Sequence, residues 1–154
     1  MRPRISASNF LSRQGNAAIE FALLSPLLLT MVTAIVEIGM AGYQEMQVQA
    51  SVEAGALYAA QNGSSNLAAI GLAVVNATGT TGITATPTPV AFCGCPTTAG
   101  VVSQNSNCET ACPNGTAPGQ YVTVNAAVTH QRIMPFLTLP LPTTLTASST
   151  IRVQ

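Results

Sequence analysis

From Ala17 to Ile38 the chain carries only two charged side chains, Glu20 and Glu37, in an otherwise apolar run. At 1.5 Å per residue, these roughly 22 residues reach about 33 Å as a helix, enough to cross the hydrocarbon core of a bilayer. Pro26 lies inside the run. In water a proline in a helix interior costs about 3 kcal/mol, but membrane helices tolerate it where Ser or Thr hydroxyls or neighbouring helices satisfy the freed carbonyl. A kink at Pro26 is therefore expected, and one membrane span.

The charges support this reading. Of 154 residues only 6% are charged, against about 25% in a typical soluble domain. They are five Arg and five Glu, with no Lys or Asp and a net charge of zero. A neutral chain with 5% aromatics lacks the basic footprint and stacking residues of a nucleic-acid binder. Arg2, Arg4 and Arg13 precede the apolar run, and Glu37, Glu45 and Glu53 follow it. The positive-inside bias then places the amino terminus in the cytoplasm and the rest of the chain across the membrane. All four cysteines, Cys93, Cys95, Cys108 and Cys112, fall on that far side, where a thiol-oxidising compartment allows them to pair.

Past the apolar run, EIGMAGYQEMQVQASVEAGALYAAQNG has no Pro and is rich in Ala, Glu, Gln and Met. The helix is expected to continue to about Gln61 and to stop at Asn62-Gly63. Its small residues Gly39, Ala41, Gly42, Ala50, Ala54, Gly55 and Ala56 suit either close approach of a foreign helix or cover by the chain's own domain. Ser64 or Ser65 is placed to cap a second helix through NLAAIGLAVVNA, ending near Thr78-Gly79. Gly, Thr and Pro then dominate, and ITATPTPVAF reads as an extended or edge segment. QYVTVNAAVTHQRI alternates, with Val122, Val124, Ala126 and Val128 on one face, as in a half-buried strand. In the last segment Leu145, Ala147, Ser149, Ile151 and Val153 share a face, and the two strands are expected to pair antiparallel.

The cysteines form CGC and CETAC. Four thiolates could hold zinc, but one residue between Cys93 and Cys95 is fewer than the two to four used by common zinc knuckles. A bridge from Cys93 to Cys95 would close a strained ring, which leaves disulfides between the two pairs in either of two connectivities. The lone His130 has no Asp or activated nucleophile nearby in the sequence and reads as an ordinary strand-end residue. Glu109 is the only acid after Glu53, so no acid/base pair can be assembled in the outer part. Gly79 and Gly82 lack the Lys and helix of a phosphate loop. Arg132 and Arg152 are read as solvated, and Asn76-Ala77-Thr78 and Asn114-Gly115-Thr116 as a helix end and a turn. Neither an enzyme nor a cofactor or small-molecule substrate is indicated.

A carboxylate in hydrocarbon costs a few kcal/mol unless partnered or wetted. Glu20 either sits in the headgroup zone or meets a cation from another chain, because its own helix offers none within a turn. Arg13-Gln14-Gly15, followed by Asn16-Ala17-Ala18-Ile19-Glu20-Phe21 and LLSPLLLTMV, resembles the leader, cleavage site and first helix of type IV prepilins, most closely the TadE-like minor pilins (pseudopilins) of tight-adherence (Flp) systems. The Cys-rich loop and YVTVNAAV...LTASSTIRVQ resemble the carboxy-terminal part of such chains more loosely. The resemblance implies a prepilin peptidase cutting after Gly15 on the cytoplasmic side, which makes Asn16 the new terminus. Glu20 then pairs with the terminal amine of an adjacent subunit, and Glu20-Phe21 sets the helix register. Asn16 stands where many type IV pilins carry Phe or another apolar residue.

The expected fold is α+β: a transmembrane helix running into a small antiparallel-sheet head with a short second helix and a disulfide-stapled loop. Its organisation is a leader over 1–15, the extended helix over 16–62 and an extracytoplasmic head over 63–154. The resemblance implies a structural part in assembling pili for surface adhesion and biofilm formation, with other pilins and assembly-platform proteins as partners, from the bacterial inner membrane. An uncleaved, membrane-anchored binding module is the alternative, and a metal-binding domain a further one.

Overall fold

The computed structural model describes residues 11–104, 108–109, 111–133 and 140–153, with side chains from Ala17 onward in the first helix. Helix α1 spans Leu11–Asn62 without interruption. It begins six residues before Ala17, and so passes through Gly15 and Asn16. It stops where expected: Gly63 has φ +70°, and its N–H donates to the Ala59 carbonyl at 2.8 Å, the left-handed ending that glycine accepts without steric cost.

After a four-residue connection α2 spans Leu67–Asn76. Its cap is Asn66, whose side chain accepts from Ala69 N–H at 3.0 Å. The expected caps were Ser64 and Ser65. They belong instead to the turn that leaves α1, where the Ser65 hydroxyl donates back to the Asn62 carbonyl. Once the chain has turned, Asn66 is the first side chain able to reach the opening N–H groups.

The sheet holds four antiparallel strands in the order β2-β1-β3-β4: β1 Val90–Thr97, β2 Gly100–Gln104, β3 Gly119–Thr129 and β4 Thr144–Arg152. Strands β3 and β4 pair from Tyr121↔Arg152 to Thr129↔Thr144, in the antiparallel sense expected. Strand β1 begins within the extended segment expected over ITATPTPVAF, but it lies between β2 and β3 and not at an edge, and it continues through CGCPT. That half contains a Gly, a Pro and both members of CGC, and its strand character depends on ladders to β2 and β3. The 83–89 segment stays outside the named strands apart from the Thr84↔Ala127 bridge.

The even-numbered face of β3 forms the centre of the core. Val122, Val124 and Ala126 are fully buried against Ile70 and Val74 of α2 and Val48, Val52 and Ala59 of α1. Each large aliphatic side chain so enclosed contributes about 1.5–3 kcal/mol. Gly55 makes this packing possible. A Cβ there would collide with Val74 Cγ2 and lie 2.9 Å from Val124 Cγ1, so only glycine lets α2 and β3 come this close to α1.

Two disulfides, Cys93–Cys108 and Cys95–Cys112, tie β1 to the segment before β3. Residues two apart on a strand project to the same side, so CGC offers both sulfurs to one passing segment. Loops of 15 and 17 residues each contribute about 3 kcal/mol in the chain-entropy account. Asn114-Gly115-Thr116 is a turn, with the Asn114 side chain accepting from Thr116 N–H and donating to the Pro96 carbonyl.

Candidate functional site

Helix α1 lives in two environments. Over 17–36 nearly every side chain is exposed, including Ile19, Phe21, Leu23, Leu27, Leu28 and Met31. Among the described residues this is the one helix long and apolar enough to cross a membrane, and none of its most apolar stretch is covered by protein. Polar atoms within it are satisfied locally. Pro26 cannot donate to the Ala22 carbonyl, and the Ser25 hydroxyl donates to that oxygen at 3.4 Å. Thr30 and Thr33 donate to the carbonyls of Leu27 and Leu29 at 2.8 and 2.7 Å. The helix thereby offers no unsatisfied backbone group to lipid at its proline.

Glu20 and Phe21 are exposed at the front of this stretch, and Glu20 has no partner among the described residues. Gly15 and Asn16 are placed as helical backbone, while Arg2, Arg4 and the side chains of Arg13 and Asn16 lie outside the described residues.

At Glu37 the helix changes character. Glu37, Ala41, Val48, Ser51, Val52, Ala56 and Ala59 are buried, with spacings of mainly three and four that define one docked face. Of the small residues, Ala41, Gly55 and Ala56 serve the chain's own head, whereas Gly39, Gly42 and Ala50 are exposed. Cover by the chain's own domain thus holds for the first set, and the second set is left open.

The first residue of the docked face forms a polar clamp. Glu37 is 4% exposed and His130, just beyond β3, likewise. His130 Nε2 lies 3.3 Å from Glu37 Oε1, and Ile133 N–H donates to Glu37 Oε2 at 3.0 Å. His130 Nδ1 lies 2.6 Å from Gln44 Oε1. A carboxylate accepts, so Nε2 donates to Glu37, while Nδ1 meets the Gln44 side-chain amide, whose oxygen and nitrogen interchange on rotation. His130 is thus no ordinary strand-end residue. It continues the even-numbered core face of β3, and that parity was the available signal.

Arg132 is likewise not a merely solvated cation. It is partly buried, and Nη2 donates to the Leu141 carbonyl at 2.8 Å, closing the neck of the β3–β4 connection. The cysteines are all consumed in the two bridges among themselves, leaving no thiolate to ligate zinc. His130 contacts Glu37 and Gln44, while Val124 approaches Gly55. β3 therefore runs back along α1, and the disulfides lie at the end of the head far from the apolar stretch.

Residues 15–57 match the family model described as TadE-like protein. Over these residues the helix is similar to that family. The match starts at Gly15, covers the whole exposed stretch and extends across most of the docked face. The stretch it covers includes the part of the helix long and apolar enough to cross a membrane. No curated protein and no solved structure gives a significant match to the chain.

Proposed function

We propose that the chain is a minor pilin, or pseudopilin, of a tight-adherence type IV pilus, and that it acts structurally in surface attachment and biofilm formation. A match to the TadE-like model that starts at Gly15, with Glu20 exposed and without a partner among the described residues in an otherwise apolar stretch, supports this reading. In this account the chain sits in the bacterial inner membrane, with its amino terminus cytoplasmic and its head outside. A prepilin peptidase removes residues 1–15 and leaves an ammonium on Asn16, followed by the helix to residue 62 and the head from 63 to 154.

The charges then explain one another. The mature helix has a cation at its tip and Glu20 about one turn in. In a bundle of low dielectric, either charge left alone is penalised strongly, and a staggered neighbour pairs the two. Glu20 and Phe21 so fix register between subunits, while a bend at Pro26 lets the helix follow its neighbours. Lipid around the exposed stretch is exchanged for the helices of other pilins and of the assembly platform.

Replacing Glu20 by Ala tests this. The variant inserts and is trimmed normally but is not assembled, read as loss of piliation and of co-purification with partner pilins. Unchanged piliation contradicts the pairing.

A further inference from the structure

Where the apolar part of α1 ends, the head leaves a cavity of about 610 Å³ between the helix and the end of β3. Met40 and Gln44 line it from α1, Thr80 and Thr81 from the segment after α2, and Arg132 and Ile133 from the chain beyond β3. Its position along α1 is informative. Taking Ala17 as the near edge of the hydrocarbon, Glu37 lies about 30 Å along the helix and Met40 about 34 Å. Hydrocarbon occupies about 30 Å and the headgroup layers bring the total to about 40–45 Å. Met40 therefore falls within the headgroup layer on the head's side, and Gln44, about 40 Å along, just beyond its outer edge.

Arg132 adds a second, independent observation. One guanidinium nitrogen holds the Leu141 carbonyl, but Nε is buried with no acceptor among the described residues. A guanidinium N–H removed from water without an acceptor is unfavourable. That nitrogen is sealed from the cavity, but the Arg132 side chain lines it and has no carboxylate partner among the described residues, so an anion entering there meets an uncompensated cation. Glu37, which holds the N–H of the next residue along the chain, forms no ion pair with Arg132, and its oxygens accept from His130 and the Ile133 N–H. Around the same space, Thr80, Thr81 and Gln131 add polar groups, and Met40, Val128 and Ile133 an apolar wall.

We propose that this cavity binds the phosphodiester headgroup of an anionic glycerophospholipid in the leaflet beneath the head, with Arg132 as its cation. A planar guanidinium matches phosphate oxygens in a fork geometry. The apolar wall takes the glycerol and the start of the acyl chains. The head is then held to the membrane surface at a second point, beside its own helix. This rests on the reading of α1 as a membrane span.

The test uses the full chain in neutral detergent, with native mass spectrometry of retained phosphatidylglycerol or phosphatidylcholine, with and without inorganic phosphate as competitor. One phosphatidylglycerol per chain is expected, with little phosphatidylcholine and no competition from phosphate. Arg132→Gln lowers retention about tenfold, the loss of one charged hydrogen-bonding partner, and Thr81→Val lowers it less. Thermal melts report whether each variant is folded, and Thr81→Val serves if Arg132→Gln is not. Equal retention of the two lipids, wild-type retention by the folded variants, or displacement by inorganic phosphate overturns the site. Flotation with pure phosphatidylcholine vesicles separates the two failures. A chain that floats but does not discriminate lipids loses the headgroup site alone, whereas one that does not float loses the membrane span as well.

Discussion

The two halves of α1 share a backbone but answer to different surroundings. Over 17–36 the large aliphatic side chains are exposed all round the helix, and none of the described residues covers them. Over 37–62 one face is buried, and it is built mostly of small or modest residues: Ala41, Val48, Ser51, Val52, Gly55, Ala56 and Ala59. The first half is made for a solvent that is itself apolar, so size is harmless and polarity must be satisfied internally. The second half is made for a close-packed protein face, where size is limited and a single Cβ at position 55 has no room. The clamp of Glu37, His130 and Gln44 marks the border.

The same substitution in each half should therefore fail differently. Val48 is 1% exposed in the core. Val48→Asp buries an unpaired carboxylate and should cost more than about 3 kcal/mol of head stability, read by thermal melting in detergent, with membrane integration intact. Leu28→Asp should do the reverse, adding about 3 kcal/mol to insertion and leaving the melt unchanged. If both variants melt alike, the division of the helix is wrong.

The border gives a comparably large effect. His130→Ala removes one member of a buried pair and leaves Glu37 with only the Ile133 N–H. A loss of about 3 kcal/mol is expected, with faster amide exchange over residues 37–44 and little change beyond Gly55. Uniform loosening of the whole head would show that the clamp has no local role.

A smaller effect is expected at α2, which touches only the docked half. Asn66→Ala removes the side chain that accepts from Ala69 N–H and should lower stability by about 1 kcal/mol. Ser64→Ala and Ser65→Ala should change it by less, which separates the observed cap from the residues the sequence favours.

Periodicity made part of this legible. The long helix, its stop at Asn62-Gly63 and the alternation of β3 follow from local pattern, because each is decided within a few residues. The β1–β2 hairpin is hidden because CGCPT has poor intrinsic strand preference and gains its form from partners on both sides. The clamp is hidden for a different reason: Glu37 and His130 are 93 residues apart, and no local pattern relates an acid at the end of an apolar run to a histidine at the end of a strand. For the amino-terminal segment, motif and structure meet only at an exposed Glu20 on a TadE-like helix.

The account depends most on what happens beside Gly15. Amino-terminal sequencing and intact mass of the chain extracted from membranes, with and without the prepilin peptidase, test it directly. The expected result is a chain beginning at Asn16 only when the peptidase is present. A chain that still carries residues 1–15 in cells with active peptidase would contradict it, because Glu20 would then have no neighbouring amine to meet.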